Sequence, residues 1–339
     1  MIVNMKPVLF LCILLLASSC MKEVDLEHLR PTPKLVLNSV VSNGDILKAS
    51  LSRTWFYTDK RPNLLLEARM SLYINDHFKE EMTLNMDAND YYSYGNYVSS
   101  YIPVSGDKVR IEVDKEGFNR VVAEEIVPFK PDLISLKAES FIRNDYNSQD
   151  TQSRYKITFR DEPSASNCYL IMVYRGYPYY EYEDYEKPPV YKGRYTWHSE
   201  SIDYSSDPVF DNKISILDRV MGNDWLSGNG GRPFSDELFN GKEYTMTLES
   251  NIWYSHNPIF PQPEEYLPDS VRVYLYTITE PYYKYLSALT SLYDGSLNND
   301  LADIGLAEPV RVFCNIDGGL GILGAACVDS LTVAIPKAN

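Results

Sequence analysis

Lys108-Val109-Arg110-Ile111-Glu112-Val113 alternates charged and apolar side chains with a period of two, directly after the turn pair Gly106-Asp107. A period of two puts successive side chains on opposite faces, so the segment predicts a strand with Val109, Ile111 and Val113 against a core. Outward from it, β-rich runs recur at Leu35-Val36-Leu37-Asn38-Ser39-Val40-Val41, Ile46 to Leu51, Ala68 to Ile74, Phe78 to Leu84 and Val121 to Val127. Asn43-Gly44-Asp45 and Asn75-Asp76 lie between them, and such pairs turn a chain tightly enough to join antiparallel neighbours.

Short strands at this spacing predict a mainly β chain whose N-terminal part is an antiparallel sandwich of the immunoglobulin or transthyretin kind. Pro128-Phe129-Lys130-Pro131-Asp132 interrupts the pattern. A domain boundary is expected there, with a β-sandwich domain at 34–130 and a larger β-rich domain at 131–339. In the second part, strands are expected at Leu133 to Lys137, Tyr155 to Phe159, Tyr169 to Tyr174, Glu243 to Glu249 and Ser270 to Thr279. The stretch 282–293 carries apolar residues at Tyr282, Tyr285, Leu286, Leu289 and Leu292 behind Pro281. That spacing predicts an amphipathic helix packed on a sheet, and a shorter one is expected over Ser215 to Met221.

The N-terminus reads differently. Lys6 precedes an apolar run from Val8 to Leu16, and Ala17-Ser18-Ser19 leads into Cys20. A basic residue, a short apolar stretch and small residues make a secretory signal over 1–19, too short for a permanent membrane span. The cysteine directly after it resembles a bacterial lipobox, which implies lipidation of Cys20 and a tether at 20–33. Lys22-Glu23-Val24-Asp25 resembles the acidic signal that places such proteins on the outer face of the outer membrane. The expectation is an outer-membrane lipoprotein, surface-exposed, with the periplasmic face as the alternative.

The 339-residue chain has a net charge of −15; Lys6 is the only charged residue ahead of Cys20, so the remainder carries −16. An acidic surface repels phosphate backbones, so nucleic acid is not an expected partner. Cations, neutral ligands and basic surfaces stay open. Beyond Cys20 only Cys168, Cys314 and Cys327 remain, and neither a CxxC pair nor a disulfide framework appears. A bridge between Cys314 and Cys327 and three separate thiols are both compatible with that spacing.

Ala307-Glu308-Pro309-Val310-Arg311-Val312-Phe313-Cys314-Asn315-Ile316-Asp317-Gly318-Gly319-Leu320-Gly321-Ile322-Leu323-Gly324-Ala325 resembles the closing motif of a Bacteroidota lipoprotein family catalogued as a domain of unknown function. The tyrosine-starting helix ahead of it, the lipobox and the early Leu-Val-Leu-Asn strand followed by Leu51-Ser52-Arg53-Thr54 are similar as well. Members of that family resemble neighbours of TonB-dependent outer-membrane receptors. The resemblance therefore implies a receptor partner and a role in nutrient uptake, with a small molecule, glycan or peptide as ligand.

Gly319-Leu320-Gly321-Ile322-Leu323-Gly324 is a literal GxGxxG, yet only 15 residues follow Gly324. A dinucleotide fold needs a helix, a second strand and a ribose-binding acid after it, so no cofactor is expected. The glycines are expected to permit turns or close backbone approach beside a sheet edge. HExxH, P-loop and GxSxG motifs are missing. His28, His77, His198 and His256 stand isolated, so the expectation is a non-enzyme with neither catalytic residues nor a metal site. An exported hydrolase with a carboxylate pair hidden among many acids is one alternative. A structural or adhesive surface protein is another.

Between Tyr174 and Trp197, eight tyrosines and a tryptophan fall within 24 residues, interleaved with Glu181, Glu183, Asp184 and three prolines. Tyrosine offers a large contact area at low rotamer cost and keeps a hydroxyl for hydrogen bonding. Tyr179, Tyr180, Tyr182, Tyr185 and Trp197 are therefore the expected binding residues. Strand alternation would put Tyr180 and Tyr182 on one face and Tyr179 and Tyr185 on the other.

Overall fold

The computed structural model describes residues 27–56, 58–59, 67–85, 96–145, 148–163, 166–181, 188–213, 227–228, 231–250, 267–293 and 311–336. Cys20, Tyr182, Tyr185, His256 and the expected helix at 215–221 lie outside them. Among the described residues, eight strands precede Pro128: β1 (Leu35–Ser42), β2 (Lys48–Arg53), β3 (Arg69–Ile74), β4 (His77–Glu81), β5 (Thr83–Asn85), β6 (Asn96–Val98), β7 (Lys108–Asp114) and β8 (Val121–Ile126). After it come β9 (Asp132–Asp145), β10 (Ser148–Arg160), β11 (Cys168–Glu181), β12 (Val190–Ser199), β13 (Ile202–Asp203) and β14 (Ser227–Gly228). The last strands are β15 (Arg232–Ser235), β16 (Glu243–Ser250), β17 (Ser270–Ile278) and β18 (Leu320–Ala334), and α1 (Glu280–Tyr293) is the one α-helix among the described residues. The chain is mainly β.

The nine-stranded sheet runs β12-β11-β17-β18-β1-β2-β6-β5, with β15 also pairing β11. A five-stranded sheet, β14-β13-β16-β10-β9, and a four-stranded sheet, β4-β3-β7-β8, complete the fold. The turn at Asn75-Asp76 joins β3 to β4 with φ of 51° and 66°, as a two-residue hairpin turn of the right twist requires. In β7 the alternation holds for Val109, Ile111 and Val113, all buried. Glu112 is also buried, because Arg110 and Arg120 both pair with its carboxylate.

Both small sheets cover the same face of the large one. Leu323 and Ala325 of β18 pack with Leu35, Leu37, Leu51, Leu72, Ile111 and Val121 in one core. Leu331 and Val333, of the same strand parity, pack on a second core with Ile171, Val173, Val273, Ile157, Phe159 and Met246. One long strand thus serves two cores. It runs parallel to β1, with Val36 opposite Leu320 and Ser42 opposite Ala326, and antiparallel to β17. Parts of the chain expected at 34–130 and 131–339 therefore share a sheet, and the core of residues 35–127 includes Ile316, Leu323 and Ala325 from the far end.

The parallel pairing explains the glycine run. Gly321 has φ +113°, and a Cβ there would stand 2.0 Å from the Leu37 carbonyl oxygen. At Gly318, φ +72°, a Cβ would meet the Arg120 carbonyl oxygen at 2.2 Å. Only glycine adopts these angles cheaply and lets neighbouring backbones approach this closely. Gly319 precedes, and Gly321 and Gly324 lie within, a strand at the centre of the sheet, where an edge was expected, and among the described residues no helix follows it.

The opposite face of the large sheet carries α1. Its Tyr282, Tyr283 and Leu286 pack on Cys168, Leu170, Ile278 and Ala326. Gly324 makes room for it, since a Cβ there would lie 2.7 Å from Tyr282. Pro281 occupies the first turn, where its missing N–H costs no helix hydrogen bond. Cys168 and Cys327 are buried, Cys314 is exposed, and the three are not joined in disulfides.

Candidate functional site

Strand parity sorts the aromatic residues around α1. In β17, Val271, Val273 and Leu275 face the core, which leaves Arg272, Tyr274 and Tyr276 on the helix side. Across the ladder, Tyr174 of β11 lies opposite Arg272, and Gly176 lies opposite Trp197 of β12. Tyr174, Trp197, Arg272, Tyr274 and Tyr276 together line an open recess of about 490 Å³.

Its geometry is held at several points. The Trp197 indole lies over Gly176, where a Cβ would come within 2.9 Å of three ring carbons. The Arg272 guanidinium sits 4.1 Å from the Trp197 ring centroid, a cation–π contact. Its Nε donates to Thr332 Oγ1 at 2.9 Å and its Nη1 to the Tyr274 hydroxyl at 3.5 Å. Tyr174 meets Tyr274 edge to face at 5.6 Å between centroids. Tyr276 keeps its phenolic proton to higher pH than usual, first through burial and then through the neighbouring phenols of Tyr174 and Tyr274. Among the described residues, the lining of the recess is three phenols, an indole and a guanidinium, and the carboxylate whose charge Tyr276 feels, Asp45, lies outside the lining.

The expected binding residues divide. Tyr180 and Tyr179 are half-buried on opposite faces of β11, in line with strand alternation. The Tyr180 ring lies 5.7 Å from Tyr191, and its hydroxyl accepts the Leu267 N–H at 3.0 Å. Tyr195 continues the row towards Trp197 at 6.1 Å and donates to the Pro268 carbonyl at 3.2 Å. Tyr179 lies beneath the Arg194 guanidinium at 4.3 Å, away from this row. Trp197 and Tyr180 therefore share a face that Tyr179 does not. Of the described histidines, His198 is exposed with its ring 5.8 Å from Tyr177, His28 is exposed, and the Nδ1 of exposed His77 lies 2.7 Å from the Asn75 carbonyl oxygen.

Arg272, Tyr274 and Tyr276 were not among the expected residues, although the signal for them was present. Val271-Arg272-Val273-Tyr274-Leu275-Tyr276 alternates as strictly as β7 does, and its polar-aromatic phase is the one that avoids the core. Only tertiary pairing brings that phase beside Trp197, some 75 residues earlier in the chain.

Below the aromatic row, on the core side, Arg175 anchors the hairpin. Its Nε donates to Asp269 at 3.0 Å, and its Nη1 lies 3.4 Å from Glu200, which accepts the Tyr155 hydroxyl at 2.9 Å. Burial pushes the Glu200 carboxyl above its usual range, against the pull of Arg175 and Tyr155. Other buried carboxylates hold loops. Asp207 accepts from Tyr244 and the Thr247 N–H at 2.7 and 2.8 Å, and Asp161 accepts from Tyr169 and the Gly241 N–H at 2.5 and 2.6 Å. Each satisfies donors that burial would otherwise strand.

These features define a mainly β protein whose described residues form three sheets and a helix, with an open recess lined by aromatic rings and Arg272 on the helix side of the largest sheet. Residues 22–332 match the family described as Domain of unknown function (DUF4249), and the chain belongs to it. No curated protein matches the chain.

Proposed function

We propose that the protein is a non-catalytic recognition lipoprotein of the cell envelope, anchored to the outer membrane through Cys20 and exposed at its surface. In this reading it works beside a TonB-dependent receptor in nutrient uptake, in a bacterium of the Bacteroidota, and it holds a ligand or the receptor itself on the aromatic face. The observation that carries the reading is the row Tyr180, Tyr191, Tyr195 and Trp197 continuing into the recess at Arg272, Tyr274 and Tyr276. Half-buried aromatic rings set on a rigid sheet give contact area without an ordering cost, which suits a binding surface. The Cys20 signal read from the sequence supports the envelope setting.

Solubilising native membranes in mild detergent, capturing the lipoprotein and identifying what accompanies it by mass spectrometry tests this. A TonB-dependent receptor should be recovered with the wild type, and its yield should fall when Trp197 and Tyr195 are both replaced by alanine. Recovery of no such receptor would refute the partnership.

A further inference from the structure

Among the described residues, Arg272 makes only neutral contacts. Its partners are the Thr332 and Tyr274 hydroxyls and the face of Trp197, and among the described residues it forms no ion pair. Many other cations of this chain do meet carboxylates, including Arg69, Lys108, Arg120, Lys130, Arg154 and Arg175. A chain with net charge −15 has acids to spare, yet among the described residues that line the recess the guanidinium has none beside it. The guanidinium is held on the indole, so little side-chain freedom remains to be lost when an anion binds.

From this charge and shape we infer that the recess is a site for a carboxylate carried on a ring. The carboxylate meets Arg272, whose planar fork matches two carboxylate oxygens. The ring lies against Tyr174, Tyr274 and Tyr276, whose faces supply apolar contact and whose hydroxyls meet polar substituents at the rim. A bare inorganic anion would use Arg272 and leave the three phenols without a role. A long acyl chain would need an enclosed cavity, and this recess is open. Two kinds of molecule share the required chemistry, an acidic sugar and an aromatic acid. The inference rests on reading this face as the recognition surface, and it adds the chemical class of the ligand.

The test is titration calorimetry on the full-length protein in detergent. Digalacturonate and 4-hydroxybenzoate are the acidic probes, and digalactose and 4-hydroxybenzamide are their neutral counterparts. One acid should bind saturably, with its neutral counterpart at least about tenfold weaker, the size expected for losing a charge-assisted hydrogen-bond pair. Which acid binds separates the two sources. Arg272→Gln should weaken the acid about tenfold and leave the neutral probe unchanged, and raising the salt concentration should weaken the acid alone. Failure of both acids to bind, equal affinity for acid and neutral probe, or an indifferent Arg272→Gln would each overturn the inference. So would a poly-glutamate peptide that binds as well as either ring acid, since the rings would then contribute nothing. If the receptor is still captured while both acids fail, the ligand class alone is wrong. If an acid binds and no receptor is captured, the partnership is wrong and the ligand site stands.

Discussion

Replacing Gly321 by alanine isolates what the parallel pairing of β1 and β18 demands. Two penalties are expected. The first is backbone strain, because φ +113° is a region that L residues avoid at a cost of about 1–3 kcal/mol. The second is steric, because the new Cβ would sit 2.0 Å from the Leu37 carbonyl oxygen, which is backbone and cannot rotate away. Restoring ordinary contact means parting the two strands by more than 1 Å at the centre of a sheet, where the pairs from Val36–Leu320 to Ser42–Ala326 hold the register. Losing two ladder hydrogen bonds there adds about 2 kcal/mol, for a total of about 3–5 kcal/mol. Gly117 is the control, since its φ of +82° carries strain while nothing lies within 4 Å of its would-be Cβ. Gly117→Ala should cost about 1–3 kcal/mol, the strain alone. Urea unfolding of both variants, followed by circular dichroism and tryptophan fluorescence, measures the gap. A Gly321→Ala variant no less stable than Gly117→Ala would show that the close approach of β18 to β1 does not support the fold. If Gly321→Ala fails to fold at all while Gly117→Ala folds, the expected order is met.

Cys20→Ala should release the protein from membranes in soluble form, and a variant that stays bound after salt and carbonate washes would mean that Cys20 is not the sole anchor. Gly176→Ala should push the Trp197 indole off its seat, given the 2.9 Å approach, and reduce receptor or ligand binding more than stability; preserved binding would place the contact elsewhere. The folded protein holds the Glu200 proton to higher pH than the unfolded chain does, because burial raises that carboxyl above its ordinary 4.5. Stability from this group is therefore present below pH 4.5 and is lost as pH climbs through the folded value, so Glu200→Gln should flatten the fall in unfolding free energy over that interval. Glu125, raised in the same sense by burial, contributes a parallel slope, and Glu125→Gln separates the two. Tyr180→Ala should loosen the segment entering β17 by removing the acceptor for the Leu267 N–H, seen as faster exchange of that amide, whereas Tyr179→Ala should leave it unchanged.

β-rich runs bounded by turn residues were enough to place many of the strands, and period-two alternation gave the buried face of β7, because side-chain direction in a strand is a local property. Val109, Ile111 and Val113 had to face one way once the segment was extended, and the Asn75-Asp76 turn needed only residues that tolerate positive φ. The helix behind Pro281 was legible for the same reason, since a 3.6-residue period and a first-turn proline are written into adjacent positions. Tyr180 and Tyr179 fell on opposite faces as alternation requires, and Trp197 was marked by the density of aromatic residues around it. Composition and the N-terminal pattern supplied the expectation of an anchored envelope protein.

Partner choice between distant strands was decided only in three dimensions. Nothing local tells Leu320 to run beside Val36, almost three hundred residues away, because the pairing energy exists only once both strands and their cores are assembled. The same holds for the recess. Arg272, Tyr274 and Tyr276 carry a readable alternation, but Trp197 reaches them through β11, and Gly176 becomes a seat for its ring only when β12 lies alongside. The sequence by itself determined locally patterned segments such as β1, β7, β17 and the helix behind Pro281, since those follow from backbone geometry within a few residues, whereas β12 and β18 carried no such expectation. Which strands meet, and which side chains become neighbours as a result, followed from packing across the sheet, where contacts form between segments that share no local signal.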